Sequence, residues 1–185
     1  MRRFSLCFLV IALLGTPVLA SAQGPSPEHA ETLEKLSCLI GTWTGEGTVQ
    51  MGDAEHSVQL TYTCRSAAAG SGVTCHLEMT GIPGFTYESN DLWGYDPGTG
   101  SLHWFTVSNA GETHDHRGRI DGRSFAASYV GRREGQPMRE NVRFAFADHE
   151  SISFSSTVFV ARQRVESFVG TMSKERARSA QADRR

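Results

Sequence analysis

Hydrophobic and polar residues alternate with a period of two in one short run after another from Thr42 onward. Val58, Leu60, Tyr62 and Cys64 alternate with Gln59, Thr61 and Thr63, and Val73, Cys75, Leu77 and Met79 alternate with Thr74, His76 and Glu78. Successive side chains of a strand point to opposite faces, so each run predicts a half-buried β-strand. The same form recurs at about 42–51, 85–95, 101–108, 112–120, 123–131, 138–147, 151–160 and 162–172, which makes about ten short strands. Turn residues separate them: Ala69-Gly70-Ser71-Gly72, Asp96-Pro97-Gly98-Thr99-Gly100, Asn109-Ala110-Gly111, Asp121-Gly122 and Asp148-His149. Strands joined in sequence by hairpins form a meander, and a meander this long removes its exposed edges by closing on itself. The expectation is an all-β closed antiparallel barrel, with a two-sheet β-sandwich as the alternative.

A different period precedes the strands. Ala30, Leu33, Leu36 and Ile40 recur at three- and four-residue steps after Ser26-Pro27-Glu28, where Ser26 is placed to cap, Pro27 suits the first helical position and Glu28 favours the helix dipole. This predicts one short amphipathic helix, ended by Gly41, lying across an end of the barrel. Before it, Arg2 and Arg3, the apolar run Phe4 to Leu14 and the small residues Ala20-Ser21-Ala22 read as an export leader over 1–22, with the mature chain starting at Gln23. The apolar run is shorter than the roughly 20 residues a spanning helix needs, and no later run approaches that length. A periplasmic or secreted protein without a transmembrane segment is expected. Residues 23–174 form one domain, and the polar segment 175–185 is expected to be disordered.

Net charge bounds the partners. The full chain carries −2, and loss of Arg2 and Arg3 with the leader takes it to −4, without a concentrated basic face. Nucleic-acid binding is excluded on that ground. Three cysteines remain after the leader: Cys38, Cys64 and Cys75. Folding the hairpin about Ala69-Gly70 sets Cys64 opposite Cys75 on the apolar face, and an opposed non-hydrogen-bonded pair has Cα atoms about 4.5 Å apart, within disulfide reach. A Cys64–Cys75 bridge is expected in an oxidising compartment, with Cys38 a buried small residue lacking a visible base beside it.

The helix-to-strand join, Leu36-Ser37-Cys38-Leu39-Ile40-Gly41-Thr42-Trp43-Thr44-Gly45-Glu46-Gly47, resembles the opening of lipocalin-like (calycin) barrels, which start with a short helix and a Gly-x-Trp strand. The middle, with Trp93-Gly94-Tyr95-Asp96, Gly111, Gly118 and Asp121-Gly122, resembles an uncharacterised bacterial family of exported lipocalin-like domains of unknown function (DUF). The resemblance spans about Glu31 to Ser173 and implies that Trp43 plugs one barrel end, covered by a late cation, Arg162 or Arg164. A more distant likeness is to nitrobindin-like barrels, which hold haem through a His near the end of the barrel. The last strand here has no His, and His149 in a hairpin turn is the nearest candidate.

The polar constellation Thr113-His114-Asp115-His116 carries the candidate chemistry. With Asp121-Gly122 as a two-residue turn, Ile120 faces Arg123, Gly118 faces Phe125, His116 faces Ala127 and His114 faces Tyr129, so both imidazoles share a face with bulky aromatics and look inward. Two His at i and i+2 suit a metal, with His103 and His76 as conceivable further ligands. The plainer reading makes them pocket-lining hydrogen-bond donors. Glu46, Glu78, Glu88, Asp91, Asp115 and Glu166 show no acid/base spacing and read mostly as solvated. Nucleophile-elbow, phosphate-loop, Cys-x-x-Cys and His-Glu-x-x-His motifs are absent, so the reading leans away from an enzyme. It favours a small, largely apolar ligand held by Trp43, Tyr62, Trp93, His114, His116, Phe125 and Tyr129, with no cofactor predicted. The alternatives are a haem- or metal-dependent enzyme using His114 and His116, and an envelope interaction module with a filled core.

Overall fold

A computed structural model describes residues 27–176. The leader, the proposed capping residue Ser26 and most of the polar tail lie outside the described residues. A helix α1 (Pro27–Ser37) leads into ten strands: β1 (Gly41–Met51), β2 (Ala54–Ala67), β3 (Gly72–Ile82), β4 (Phe85–Asp96), β5 (Ser101–Ser108), β6 (Thr113–Asp121), β7 (Ser124–Arg133), β8 (Gln136–Phe146), β9 (Ser151–Val160) and β10 (Gln163–Lys174). Each pairs antiparallel with its sequence neighbours, and β1 pairs with β10, so the sheet is a closed meander barrel and not a sandwich. No helix among the described residues is long and apolar enough to cross a membrane.

Alternation sets what fills the inside. Val58, Leu60, Tyr62 and Cys64 of β2 are buried while their neighbours Gln59, Thr61 and Thr63 are exposed. Cys64 pairs with Cys75 in the β2–β3 register and the two form a disulfide, with Cα atoms 4.0 Å apart. Loop closure by that bridge is worth roughly 2–3 kcal/mol. Where β1 crosses β10, the backbones approach so closely that a Cβ at Gly45 would collide with the Thr171 carbonyl, so the sheet can curl there only around glycine.

One end of the barrel is shut. Trp43 is fully buried there, and its Nε1 donates to the Leu39 carbonyl at 2.7 Å, tying the helix-to-strand join to the barrel. The helix docks by its last turn: Leu33 and Leu36 pack inward, followed by Leu39 and Ile40, whereas Ala30, expected on the same face, is exposed. The helix ends at Ser37, and a turn closed by bonds such as Ile40 N–H to Ser37 O carries the chain to Gly41. The cation over Trp43 is Lys174, 5.2 Å from the ring, and not Arg162 or Arg164. Trp43 pairs with Lys174 in the β1–β10 register, and the two arginines lie at the other end of β10.

The β6–β7 hairpin corrects the expected turn. Its two-residue loop is Gly122-Arg123, so Asp121 pairs with Ser124, Ile120 with Phe125 and Gly118 with Ala127. Only Gly122 of the two has positive φ, the requirement of a II′ turn and not of the expected I′ turn. The pairing is displaced by two residues from the expected one. A shift of two preserves faces, so His114 and His116 still point inward.

Candidate functional site

The barrel encloses a cavity of about 190 Å3 that opens at the end opposite Trp43. Its two halves differ in chemistry. Strands β1–β3, β9 and β10 contribute mainly apolar groups such as Leu60, Leu77, Met79, Val158, Phe168 and Met172. Strands β4–β6 and β8 and the loop between β5 and β6 bring Ser89, Asp91, Thr106, Glu112, His114, His116 and Glu140.

Asp91 is the centre of one polar cluster. It is 3 % exposed, and its Oδ2 accepts from the Tyr62 hydroxyl at 2.8 Å while its Oδ1 accepts from Thr106 Oγ1 at 2.8 Å and Ser89 Oγ at 3.3 Å. The Tyr62 oxygen in turn accepts from Trp93 Nε1 at 2.9 Å. Burial raises the carboxyl above its ordinary range, and the donors from Tyr62 and Thr106 only partly offset that. Burial, followed by the Asp91 charge, raises the Tyr62 phenol further still. Trp104 Nε1 turns toward the same carboxyl without closing a hydrogen bond, and stands as a buried side-chain N–H without a partner.

Glu140 is the centre of the second cluster. Its Oε2 lies 3.2 Å from His114 Nδ1 and 3.0 Å from His116 Nε2. His116 Nδ1 lies 3.3 Å from the Trp104 carbonyl oxygen, so both nitrogens of that ring face acceptors. Burial alone would raise the Glu140 carboxyl, but hydrogen bonds and charge from the two imidazoles prevail and hold it down at about 2. The rings are fixed by stacking: Trp93, Trp104 and His116 form a ladder across three adjacent strands, with centroids 5.2 and 4.5 Å apart, and His114 lies on Tyr129 at 3.9 Å. The ligand atoms of His114, His116 and Glu140 all lie within 4.8 Å of one another, an arrangement able to coordinate a metal ion.

Tyr62, His114 and His116 therefore stand on the cavity wall. Trp43, Trp93 and Phe125 do not: they fill the closed end, where Trp93 packs edge-on against Phe125 at 4.9 Å. Tyr129 supports His114 from outside the lining. His103 and His76 cannot join the cluster. They face outward, where His103 pairs with Asp115 at 2.9 Å and His76 with Asn90 at 3.3 Å.

Sequence reasoning missed Glu140 and misjudged Asp91 as solvated. The signal was present: Met138, Glu140, Val142 and Phe144 occupy one face of β8, and Tyr87, Ser89, Asp91 and Trp93 one face of β4, so each acid interrupts an inward series. At the mouth, Arg133 bridges Glu166 at 2.6 Å and Glu112 at 3.3 Å, so Glu166 is paired rather than simply solvated. Cys38 is half-buried and does have an imidazole beside it, His149 Nδ1 at 3.7 Å, supplied by the β8–β9 turn 111 residues away.

No protein-family model matches this sequence, and no curated protein does. Among solved structures the chain is similar to the S-type phycobiliprotein lyase of Guillardia theta, with a TM-score of 0.57 and 10 % sequence identity over 80 % of this chain and 93 % of that one. At that identity the likeness extends to the fold alone.

Proposed function

We propose that this chain is an exported, lipocalin-like carrier, working in the periplasm or outside the cell, that holds a small and largely apolar molecule in its barrel. The observation that carries the reading is the two-sided cavity. Apolar side chains on β1–β3, β9 and β10 would remove a hydrocarbon surface from water at roughly 25 cal/mol per Å2, while His114 and His116 on the other side, together with the Tyr62 hydroxyl of β2, would orient a polar end. Its volume of about 190 Å3 exceeds the roughly 150 Å3 of an engineered cavity that accepts benzene. An open interior also favours a carrier over a filled-core interaction module. The leader-like start and the Cys64–Cys75 disulfide support the exported setting.

Thermal shift tests the reading. A panel of single-ring aromatics, medium-chain alcohols and medium-chain carboxylates should contain compounds that raise the unfolding midpoint in a concentration-dependent way, since a ligand at 100 times its Kd stabilises by about 2.7 kcal/mol. A flat response across the whole panel contradicts the carrier.

A further inference from the structure

We propose that His114, His116 and Glu140 form a binding site for a divalent transition-metal ion, with one coordination position open to the barrel cavity. Three observations converge on it. The first is donor type and spacing: two imidazoles and one carboxylate are a common set for zinc and its neighbours, and donors about 2.0–2.2 Å from a tetrahedral ion lie about 3.3 Å apart. Here the two nitrogens lie 3.2 and 3.0 Å from Glu140 Oε2. The ion would replace the protons that now bridge these atoms.

The second is the support behind the donors. A metal-binding imidazole is ordinarily oriented by a hydrogen bond from its other nitrogen, and His116 has that partner in the Trp104 carbonyl oxygen, 3.3 Å from Nδ1. Stacking on Trp104 and on Tyr129 keeps the two rings from swinging away. The third is the surroundings. Glu112, Glu166 and Asp91 share the cavity wall with Glu140, and the guanidinium of Arg133 is already engaged by two of these carboxyl groups at the mouth. A cation entering this cavity meets an excess of acidic groups.

All three donors belong to the cavity lining, so protein atoms occupy one side of the ion and the cavity the other. Water or an oxygen of a cavity guest would take the open position. Such a site is built for Lewis-acid chemistry or for gripping a guest's polar end.

The test uses the untagged mature chain, stripped with EDTA and titrated with Zn2+. One equivalent should bind at micromolar or lower Kd, and Co2+ in its place should give the visible absorption of a low-coordinate ion. The double variant H114A/H116A and the single variant E140Q should each weaken Zn2+ binding at least tenfold, while H76A/H103A, altered only on the outer face, should bind as the parent does. The parent's Co2+ spectrum needs no variant to fold, and an octahedral spectrum there contradicts the open three-donor site. Absence of stoichiometric Zn2+ binding, or binding unchanged in folded H114A/H116A, overturns the proposal. Because the probe is the metal alone, that failure leaves the thermal-shift test of the apolar carrier untouched.

Discussion

Replacing Trp43 by alanine should cost about 3–5 kcal/mol, the cost typical of emptying a buried aromatic site. Trp43 has no exposed surface, and its indole N–H is the bond that fastens the Leu39 carbonyl and thus the helix-to-strand join to the closed end. The Lys174 ammonium loses its ring as well, a further contribution on the order of 1 kcal/mol. At about 2–4 °C per kcal/mol for a chain of this size, the unfolding midpoint should fall by roughly 10 °C or more. Trp43→Phe keeps most of the ring and loses the hydrogen bond, so it should fall by much less. A W43A protein that melts with the parent would show that the closed end is held by something else.

The second large effect is pH-dependent. In metal-free protein, Glu140→Gln should destabilise by about 2–3 kcal/mol near neutral pH, because a carboxyl held at about 2 against an ordinary 4.5 contributes stability of that order. The sign follows from the direction of the shift. A depressed carboxyl binds its proton less readily folded than unfolded, so its contribution is complete above about 4.5 and is lost as pH falls toward 2. Urea unfolding of parent and E140Q should therefore converge across that acidic window. Asp91 supplies the opposite trend, since burial raises its carboxyl and the parent should lose stability relative to Asp91→Asn as pH rises above 3.8. A parent-to-E140Q gap that is the same at pH 7 and pH 3 would mean that His114 and His116 do not stabilise the Glu140 charge.

Much of the fold was legible because the chain states it twice, in period and in punctuation. Strands β1–β10 follow the alternation closely, and the Cys64–Cys75 pairing follows from a hairpin whose register two cysteines on one face both satisfy. The Gly122-Arg123 turn shows the limit: Asp121-Gly122 and Gly122-Arg123 differ by one loop position, and the backbone sign at Asp121, which a I′ turn requires to be positive and which is not positive here, separates them. Site residues were legible when they clustered in sequence, as His114 and His116 do. Glu140 lies 24 residues beyond His116, and nothing local marks it as their partner; only the pairing of β6 and β8 on either side of a curved β7 brings the three side chains together. The same holds for Cys38 and His149, and for Lys174 over Trp43, each a contact made by the barrel's ends meeting rather than by neighbouring residues. Trp93 and Phe125 went astray for a different reason. Inward-facing aromatics look alike in sequence whether they line a cavity or fill the end beneath it.

A carrier of this kind needs an interior space that a guest can enter. Leu77 is half-buried on the apolar side of that space, with room beside it for a larger ring. A naphthylamine probe whose fluorescence rises in apolar surroundings should bind the parent with a stoichiometry of one, and should lose that site in Leu77→Trp while the circular dichroism of the barrel is unchanged. Equal probe binding by a folded L77W protein would place the probe on the outside, and the barrel would not be a container.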